Sequence, residues 1–160
     1  MDMRQGAERA DRILDGTLKA IVPPVRWVHG TSISGLCSGS STTGQVTRQR
    51  TVLTIISPER RGNFFGLVER HWKSSGYHIT GNDPGKTFPS LYATAPGEYR
   101  MSLQIGDKGQ AFFDVTTPCL DKASVPDPAS DQEAPRLQDG EIPYPNHTSD
   151  FWSAKKPLPS

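Results

Sequence analysis

The most constraining part of the sequence is a strand-forming run that leads directly into a helix start. Residues 45–56 read QVTRQRTVLTII, which is rich in β-branched residues and almost free of breakers, as is typical of a strand. Residues 52–56 are apolar enough to lie centrally in a sheet. Ser57 and Pro58 are the residue types of a helix N-cap and a first helical position. The sequence therefore predicts a strand that is followed at once by a helix.

Two helices are predicted. The first covers residues 58–75 and ends before Gly76, a residue suited to a helix C-terminus. The second covers residues 2–21, is capped by Asp2 and stops at Pro23-Pro24. Both have an apolar stripe at spacings of three and four residues, formed by Phe64, Phe65, Val68 and Trp72 in one helix and by Ala7, Ala10, Leu14, Leu18 and Ile21 in the other.

Short strands account for most of the remaining body. The pattern predicts a strand in VRWVHG, a loop over residues 30–44, and four strands at 77–80, 91–95, 98–105 and 110–117. Compact turns over 95–98 and 106–109 connect the last strands, so we expect an antiparallel meander. The predicted fold is α+β, with a sheet of about five or six strands packed by the helix 58–75. The N-terminal helix is assigned to residues 1–22 and the core domain to residues 23–120.

The chain changes character at Asp121. Seven of its 14 prolines lie in residues 121–160, which predicts an extended or disordered tail. One stretch of the tail, residues 142–152, carries Tyr144, Phe151 and Trp152. This stretch either docks on the body or serves as a contact segment, and the alternative is a loosely ordered end.

The two cysteines leave two interpretations open. Cys37 lies in GLCSG, which has the form of a nucleophile elbow, but the residues that follow it are poor helix formers. A thiol nucleophile also needs a histidine base, and none of the candidates lies in a recognisable signature; they are His29, His71, His78 and His147. The preferred interpretation is a disulfide between Cys37 and Cys119, which flank the predicted strands. A disulfide implies an oxidising compartment.

No nucleotide or metal site is expected. Residues 81–87, GNDPGKT, have three residues rather than four between the first glycine and the Gly-Lys pair, and a strand rather than a helix follows. The four histidines are not arranged at ligand spacing, so we expect surface residues and no metal or cofactor.

The charge pattern offers one candidate binding surface. The net charge of +1 gives no reason to expect a nucleic-acid partner. A basic face is formed if the cationic residues of the long strand and the following helix converge; these are Arg48, Arg50, Arg60, Arg61, Arg70 and Lys73. The alternative is ordinary solvated charge on an edge strand and an exposed helix face.

Nothing in the sequence resembles a membrane span or a signal peptide. This pattern fits either a cytoplasmic protein or a mature sequence from which an export signal has been removed.

Residues 9–120 resemble a family of small exported proteins, often lipoproteins, of high-GC Gram-positive bacteria. The resemblance is carried by PPVRW, by ISPERRG at the helix start, by the Gly-Tyr pair that ends the helix, and by FFDVTTPC. It implies export, a Cys37–Cys119 bridge and a possible lipid anchor in the full-length protein, and it carries no catalytic residues. This chain lacks the signal and the lipid-attachment cysteine of the family.

The expected function is that of an extracytoplasmic, non-enzymatic module that binds an unknown protein or small ligand and is membrane- or wall-associated in its full-length form. One alternative is an inhibitor or immunity-type protein that blocks a partner through loop 38–44 or its tail. The other is a Cys-dependent hydrolase that uses Cys37 with His29.

Overall fold

A computed structural model of the protein describes residues 1–83, 88–106, 108–128 and 145–158. Within these residues the chain forms two helices and one antiparallel sheet, which confirms the predicted α+β class. The elements in chain order are α1 (Met3–Lys19), β1 (Trp27–His29), β2 (Ile33–Leu36), β3 (Thr43–Val52), α2 (Pro58–Ser74), β4 (His78–Asp83), β5 (Ser90–Ala95), β6 (Tyr99–Ile105), β7 (Ala111–Thr116) and β8 (Leu120–Asp121).

Helix α1 begins at a capping box. The carboxylate of Asp2 accepts a hydrogen bond from the Gln5 N–H at 2.9 Å, and the Gln5 side chain accepts one from the Asp2 N–H at 3.0 Å. One side of α1 is buried, as the apolar stripe predicts, and it includes Ala7, Ala10, Leu14 and Leu18.

Helix α2 begins at Pro58, as predicted, but Ser57 does not cap it through its side chain. The Ser57 hydroxyl donates instead to the carbonyl of Ala154 at 2.5 Å. The helix ends before Gly76, whose φ of +85° lies in the left-handed region that favours glycine.

The sheet has the strand order β1-β3-β7-β6-β5-β4, and β2 and β8 also pair with β3. Strands β4 to β7 are sequential antiparallel neighbours, as the short turns predict. The prediction of a loop over residues 30–44 is wrong for Ile33–Leu36, which pairs with residues 44–47 of β3. This Gly- and Ser-rich stretch has no hydrophobic periodicity that would predict a strand, and it is a strand because its backbone pairs with β3.

Both helices pack against the same face of the sheet. This covered face forms the main core, which joins α1 residues such as Leu14 and α2 residues such as Phe64 to the inward side chains of β5, β6 and β7. A smaller cluster of Met3, Ala7 and Val46 packs beside it, against Leu120 and Val125. Successive side chains of a strand point to opposite faces of the sheet. Since both helices lie on one face, the other face has no helix from the described part of the chain.

The prediction of an extended or disordered tail is wrong for residues 145–158, which we call the C-terminal segment. Trp152 is only 1% exposed and belongs to the main core, where its ring meets Phe64 edge-on at 5.2 Å. Its indole N–H donates to the carbonyl of Pro23 at 2.7 Å. Burial of a large aromatic side chain outweighs the extended preference of the surrounding prolines. The predicted tail residues 129–144, including Tyr144, lie outside the described residues.

Among the described residues, neither helix has the length and apolar character that crossing a membrane requires.

Candidate functional site

The two cysteines form a disulfide. Cys37 follows β2 and Cys119 precedes β8, their Cα atoms are 6.2 Å apart, and the bond joins positions separated by 82 residues. A sulfur in a disulfide cannot act as a thiolate nucleophile, so the nucleophile-elbow interpretation of Cys37 is wrong. The bond is consistent with an oxidising environment outside the cytoplasm.

The six cationic residues of the candidate basic surface do not share one exposed face. Arg48, Arg50 and Arg60 are buried, with 3%, 1% and 8% of their surface exposed. Arg61 is half-buried on α2, and only Arg70 and Lys73 are exposed. Charge alternation in the long strand was consistent with a solvated edge, whereas the strand lies inside the sheet with its arginines under α1.

The buried arginines belong to an ion cluster between α1 and β3. Arg50 Nη2 lies 3.2 Å from Asp11 Oδ1 and 3.3 Å from Asp15 Oδ1, and Arg48 Nε lies 3.4 Å from Asp11 Oδ1. Arg48 also donates to the carbonyl of Pro126 at 2.8 Å. Two carboxylates therefore balance two guanidinium groups at this point of the core.

Burial shifts the pKa of two members of this cluster, Asp11 and Arg48. It raises the pKa of Asp11 above its usual value, against the opposing charges of Arg48 and Arg50. It also lowers the pKa of Arg48 from a value far above neutrality. The cluster fixes α1 on the sheet, and its two arginines are too deeply buried to meet an external ligand.

Arg60 has a different environment. Its Nε donates to the carbonyl of Lys156 at 2.9 Å, and its guanidinium lies 4.8 Å from the centre of the Phe151 ring. It therefore holds the C-terminal segment on α2.

The four histidines are dispersed. His29 is buried beside Trp27, at 5.1 Å between ring centres, and His71 is half-buried on α2, where burial lowers its pKa. His78 is exposed on β4, and His147 lies in the C-terminal segment, where it pairs with Thr54. No group of three His, Cys, Asp or Glu side chains in the described ranges could hold a metal ion.

The stretch GNDPGKT is only partly described. Residues 81–83 belong to β4, whereas residues 84–87 lie outside the described residues.

The face of the sheet opposite the helices, which we call the helix-free face, presents polar and aromatic side chains in register. Ser90 pairs with Gln104 and Gln104 with Phe112, which places these side chains in one row across β5, β6 and β7. Tyr92 lies two residues along β5, in the next row with Ser102 and Asp114. On β3, β5, β6 and β7 the face comprises Thr47, Gln49, Thr51, Ser90, Tyr92, Thr94, Arg100, Ser102, Gln104, Phe112, Asp114 and Thr116. Val28 of β1 pairs with Thr51 and Asp83 of β4 pairs with Ser90, so both lie on the same face.

One end of the helix-free face contains a cleft of about 350 Å³, which we call the aromatic cleft. It is lined by Phe88, Ser90, Tyr92, Gln104, Ile105, Gly106 and Phe112. Phe88 is 57% exposed and Tyr92 is 40% exposed. The Gln104 amide donates to the Tyr92 hydroxyl at 3.2 Å, which fixes both polar groups beside the rings.

A carboxylate lies close to this cleft along β7. Asp114 bonds to the side chain of Gln49, and burial raises the pKa of Asp114 above its usual value. Its Oδ1 atom is buried and has no hydrogen-bond partner among the described residues.

A second cavity, of about 420 Å³, lies where α1 ends and the chain turns into β1. Its walls are mostly apolar, with Asp15 and Lys19 as charged members, and include Leu18, Ile21, Val25 and Trp27. Asp15 is already paired with Arg50 there.

The aromatic cleft is not evident from the sequence. In β5 and β7 every second side chain is apolar and faces the core. Tyr92 and Phe112 stand at the alternate positions of these strands, whose side chains point to the other face of the sheet. An aromatic residue at such a position is a hint of a binding surface, but only the strand register brings the two together.

No protein-family model matches the chain, and no curated protein is significantly similar to it. Among solved structures, the chain is similar to the crystal structure of a DUF4853 family protein from Actinomyces odontolyticus ATCC 17982. The two share 11% sequence identity at a TM-score of 0.49, over 91% of this chain and 81% of that chain.

Proposed function

We propose that this protein is a non-enzymatic extracytoplasmic binding module that takes its ligand in the aromatic cleft. The observation that carries the proposal is the exposure of Phe88 and Tyr92 over a concave part of the helix-free face. Ligand sites are typically concave, rich in aromatic side chains and equipped with a few fixed polar groups. The cleft has this composition, since Gln104 and Tyr92 hold each other beside the rings.

The position of the cleft supports a binding role over a stabilising one. The solvated face of an antiparallel sheet is normally polar, and large exposed aromatic side chains contribute little to folding. Phe88 and Tyr92 leave apolar surface in water, which a ligand would cover.

Two observations support the compartment. The Cys37–Cys119 bond is of the kind that persists outside the reducing cytoplasm. The resemblance of residues 9–120 to exported proteins and lipoproteins points the same way. In the full-length form we propose association with the membrane or the cell wall.

Binding is tested by screening a chemically diverse fragment library against the oxidised, ¹⁵N-labelled protein. We expect fragments that bind to shift the amide signals of Tyr92, Gln104 and Phe112. The substitution Tyr92→Ala should weaken the affinity of these fragments at least tenfold. Thr94→Ala is the matched control, because Thr94 lies on the same strand and face but outside the cleft. Hits that shift other amides only, or that bind Tyr92→Ala as well as wild type, would contradict the proposal.

The compartment is tested by trapping thiols in intact cells that express the natural gene. Alkylation before lysis should leave Cys37 and Cys119 unmodified until a reductant is added. Modification of both cysteines without reductant would place the protein in a reducing compartment.

One observation favours the inhibitor alternative as a second candidate. The hairpin of β2 and β3 ends at the disulfide, and it exposes Ile33 and Leu36. A rigid hairpin with exposed apolar side chains is suited to enter a partner's groove. Capture of a stoichiometric partner that is lost in Ile33→Ser with Leu36→Ser would support this function, and capture that is indifferent to both changes would exclude the hairpin.

A further inference from the structure

We infer that the aromatic cleft recognises a neutral saccharide of one or two rings; this inference rests on the proposed function. It concerns the chemical class of the ligand, which is read from the side chains that line the cleft.

The lining of the aromatic cleft is uncharged. None of the seven residues that line the aromatic cleft carries a formal charge. Of the charged residues on the helix-free face, Arg100 and Asp114 lie in other rows of the sheet. Asp83 pairs with Ser90 in the row of the cleft, but it is not one of the residues that line the cleft. An anionic ligand would therefore be desolvated in the cleft without a cationic partner, which disfavours anions. A cationic ligand would find no carboxylate among the lining residues themselves.

The lining is also aromatic. Phe88, Tyr92 and Phe112 supply three rings around one cleft. The face of an aromatic ring is electronegative and packs against the polarised C–H groups that line the face of a sugar ring. Three rings can therefore hold a sugar by its apolar face without a charge.

The lining also carries hydrogen-bonding groups. Gln104 offers an amide with two N–H donors and a carbonyl acceptor, and one N–H is directed to the Tyr92 hydroxyl. Ser90 and Tyr92 add hydroxyls that both donate and accept. Neighbouring sugar hydroxyls need donors and acceptors side by side, and an amide provides both from one group.

The cleft is also small. A volume of about 350 Å³ lies at the lower end of the range for ligand sites. It holds one or two sugar rings. A proline-rich peptide also binds aromatic grooves, but it does so along an extended groove that contacts several residues in succession. The compact cleft favours the saccharide, and the peptide becomes an outcome of the test.

The test uses the oxidised full chain, labelled with ¹⁵N, and titrates it with maltose, cellobiose and N,N′-diacetylchitobiose, then with glucuronate and a proline-rich decapeptide. We expect at least one neutral disaccharide to shift the amide signals of Tyr92, Gln104 and Phe112, with a millimolar Kd. Glucuronate should bind at least tenfold more weakly.

Two variants locate the contact. Tyr92→Ala should abolish the shifts, and Gln104→Leu should weaken binding at least fivefold, because leucine keeps the volume but removes the amide. Thr94→Ala should bind like wild type. Each variant is first checked for an unchanged melting temperature, and Phe112→Leu replaces Tyr92→Ala if the latter does not fold.

The outcomes separate the two proposals. Binding of the decapeptide or of library fragments in the cleft, without any neutral sugar, would overturn the saccharide inference and leave the proposed function standing. Failure of every probe and fragment to shift cleft signals would overturn both. Sugar binding that is unchanged in Tyr92→Ala and Gln104→Leu would overturn the assignment of the site.

Discussion

The two faces of the sheet differ most clearly between neighbouring residues of one strand. On β6, Leu103 is fully buried under the helices, whereas Gln104 is exposed in the aromatic cleft. The first side chain contributes to folding through apolar burial, and the second contributes hydrogen-bonding groups at little cost to the fold. A sheet covered on one side can therefore vary its ligand surface without disturbing its core.

The covered face is itself not uniform. Under α2 it is apolar and aromatic, but under α1 strand β3 contributes Arg48 and Arg50 in place of apolar side chains. Asp11 and Asp15 of α1 complement these charges. The alternation of side chains along a strand therefore indicates which of them are covered, but it does not indicate whether apolar or charged side chains cover them.

The largest expected effect is on the covered side, in the C-terminal segment. Trp152→Ala should lower the free energy of unfolding by about 4 kcal/mol, because it leaves a large cavity beside Phe64. Urea denaturation measures the loss, with Lys155→Ala as an exposed control in the same segment. A loss below about 1 kcal/mol would show that the segment does not contribute to the core in solution.

The neighbouring pair on β6 sharpens the comparison directly. Leu103→Ala should cost about 3 kcal/mol of stability. Gln104→Ala should change it by less than about 0.5 kcal/mol, since its side chain faces solvent. The same denaturation experiment measures both. Equal losses of stability for the two variants would show that the helix-free face contributes to folding as much as the covered face does.

A smaller effect is expected in the ion cluster. Asp15 is half-exposed and shares Arg50 with Asp11, so Asp15→Ala should cost about 1 kcal/mol or less. Asp11→Ala should cost more, because it is the less exposed partner and bridges both arginines. Stability curves at low and high salt would compare the two, and a larger loss for Asp15→Ala would reverse the assignment.

The smallest effect is a change in pH dependence on the helix-free face. Burial raises the pKa of Asp114, so the folded state binds a proton more readily than the unfolded state. Stability from this group is therefore present below its usual pKa and is lost as the pH rises through the raised value. Asp114→Asn should be slightly more stable than wild type at pH 7.

Denaturation at several pH values between 4 and 7 measures this difference. The advantage of Asp114→Asn over wild type should shrink as the pH falls. Asp11 has a raised pKa as well, but it is present in both proteins, so its contribution cancels. An advantage that grows toward low pH would show that the pKa of Asp114 is lowered instead.

The sequence predicts the local parts of this molecule well and the non-local parts poorly. Helix α2 follows from the Ser57-Pro58 start and its apolar stripe, which are properties of neighbouring residues. Strand β2 depends on pairing with residues 44–47, and the C-terminal segment depends on a site for Trp152 near Pro23. These contacts join distant parts of the chain, so no local pattern announces them.

The candidate site follows the same division except at the disulfide, which joins distant parts of the chain. The disulfide was predicted, because two cysteines near strand ends allow only one pairing. The basic surface was not supported, because the partners of Arg48 and Arg50 lie on α1, far away in sequence. The aromatic cleft needs the register of β5, β6 and β7, which the alternation within each strand does not contain.

The disulfide also decides how this protein would respond to mechanical tension. If the chain is held at one end and pulled at the other, force passes through the sulfur atoms and bypasses everything between Cys37 and Cys119. The bypassed length is 82 residues, or about 290 Å at roughly 3.5 Å per extended residue. That stretch contains α2, the long strand β3 and the whole aromatic cleft. Among the described elements, α1, β1, β2, β8 and the C-terminal segment lie outside that loop and can be pulled out straight, whereas the cleft would keep its covalent frame under load.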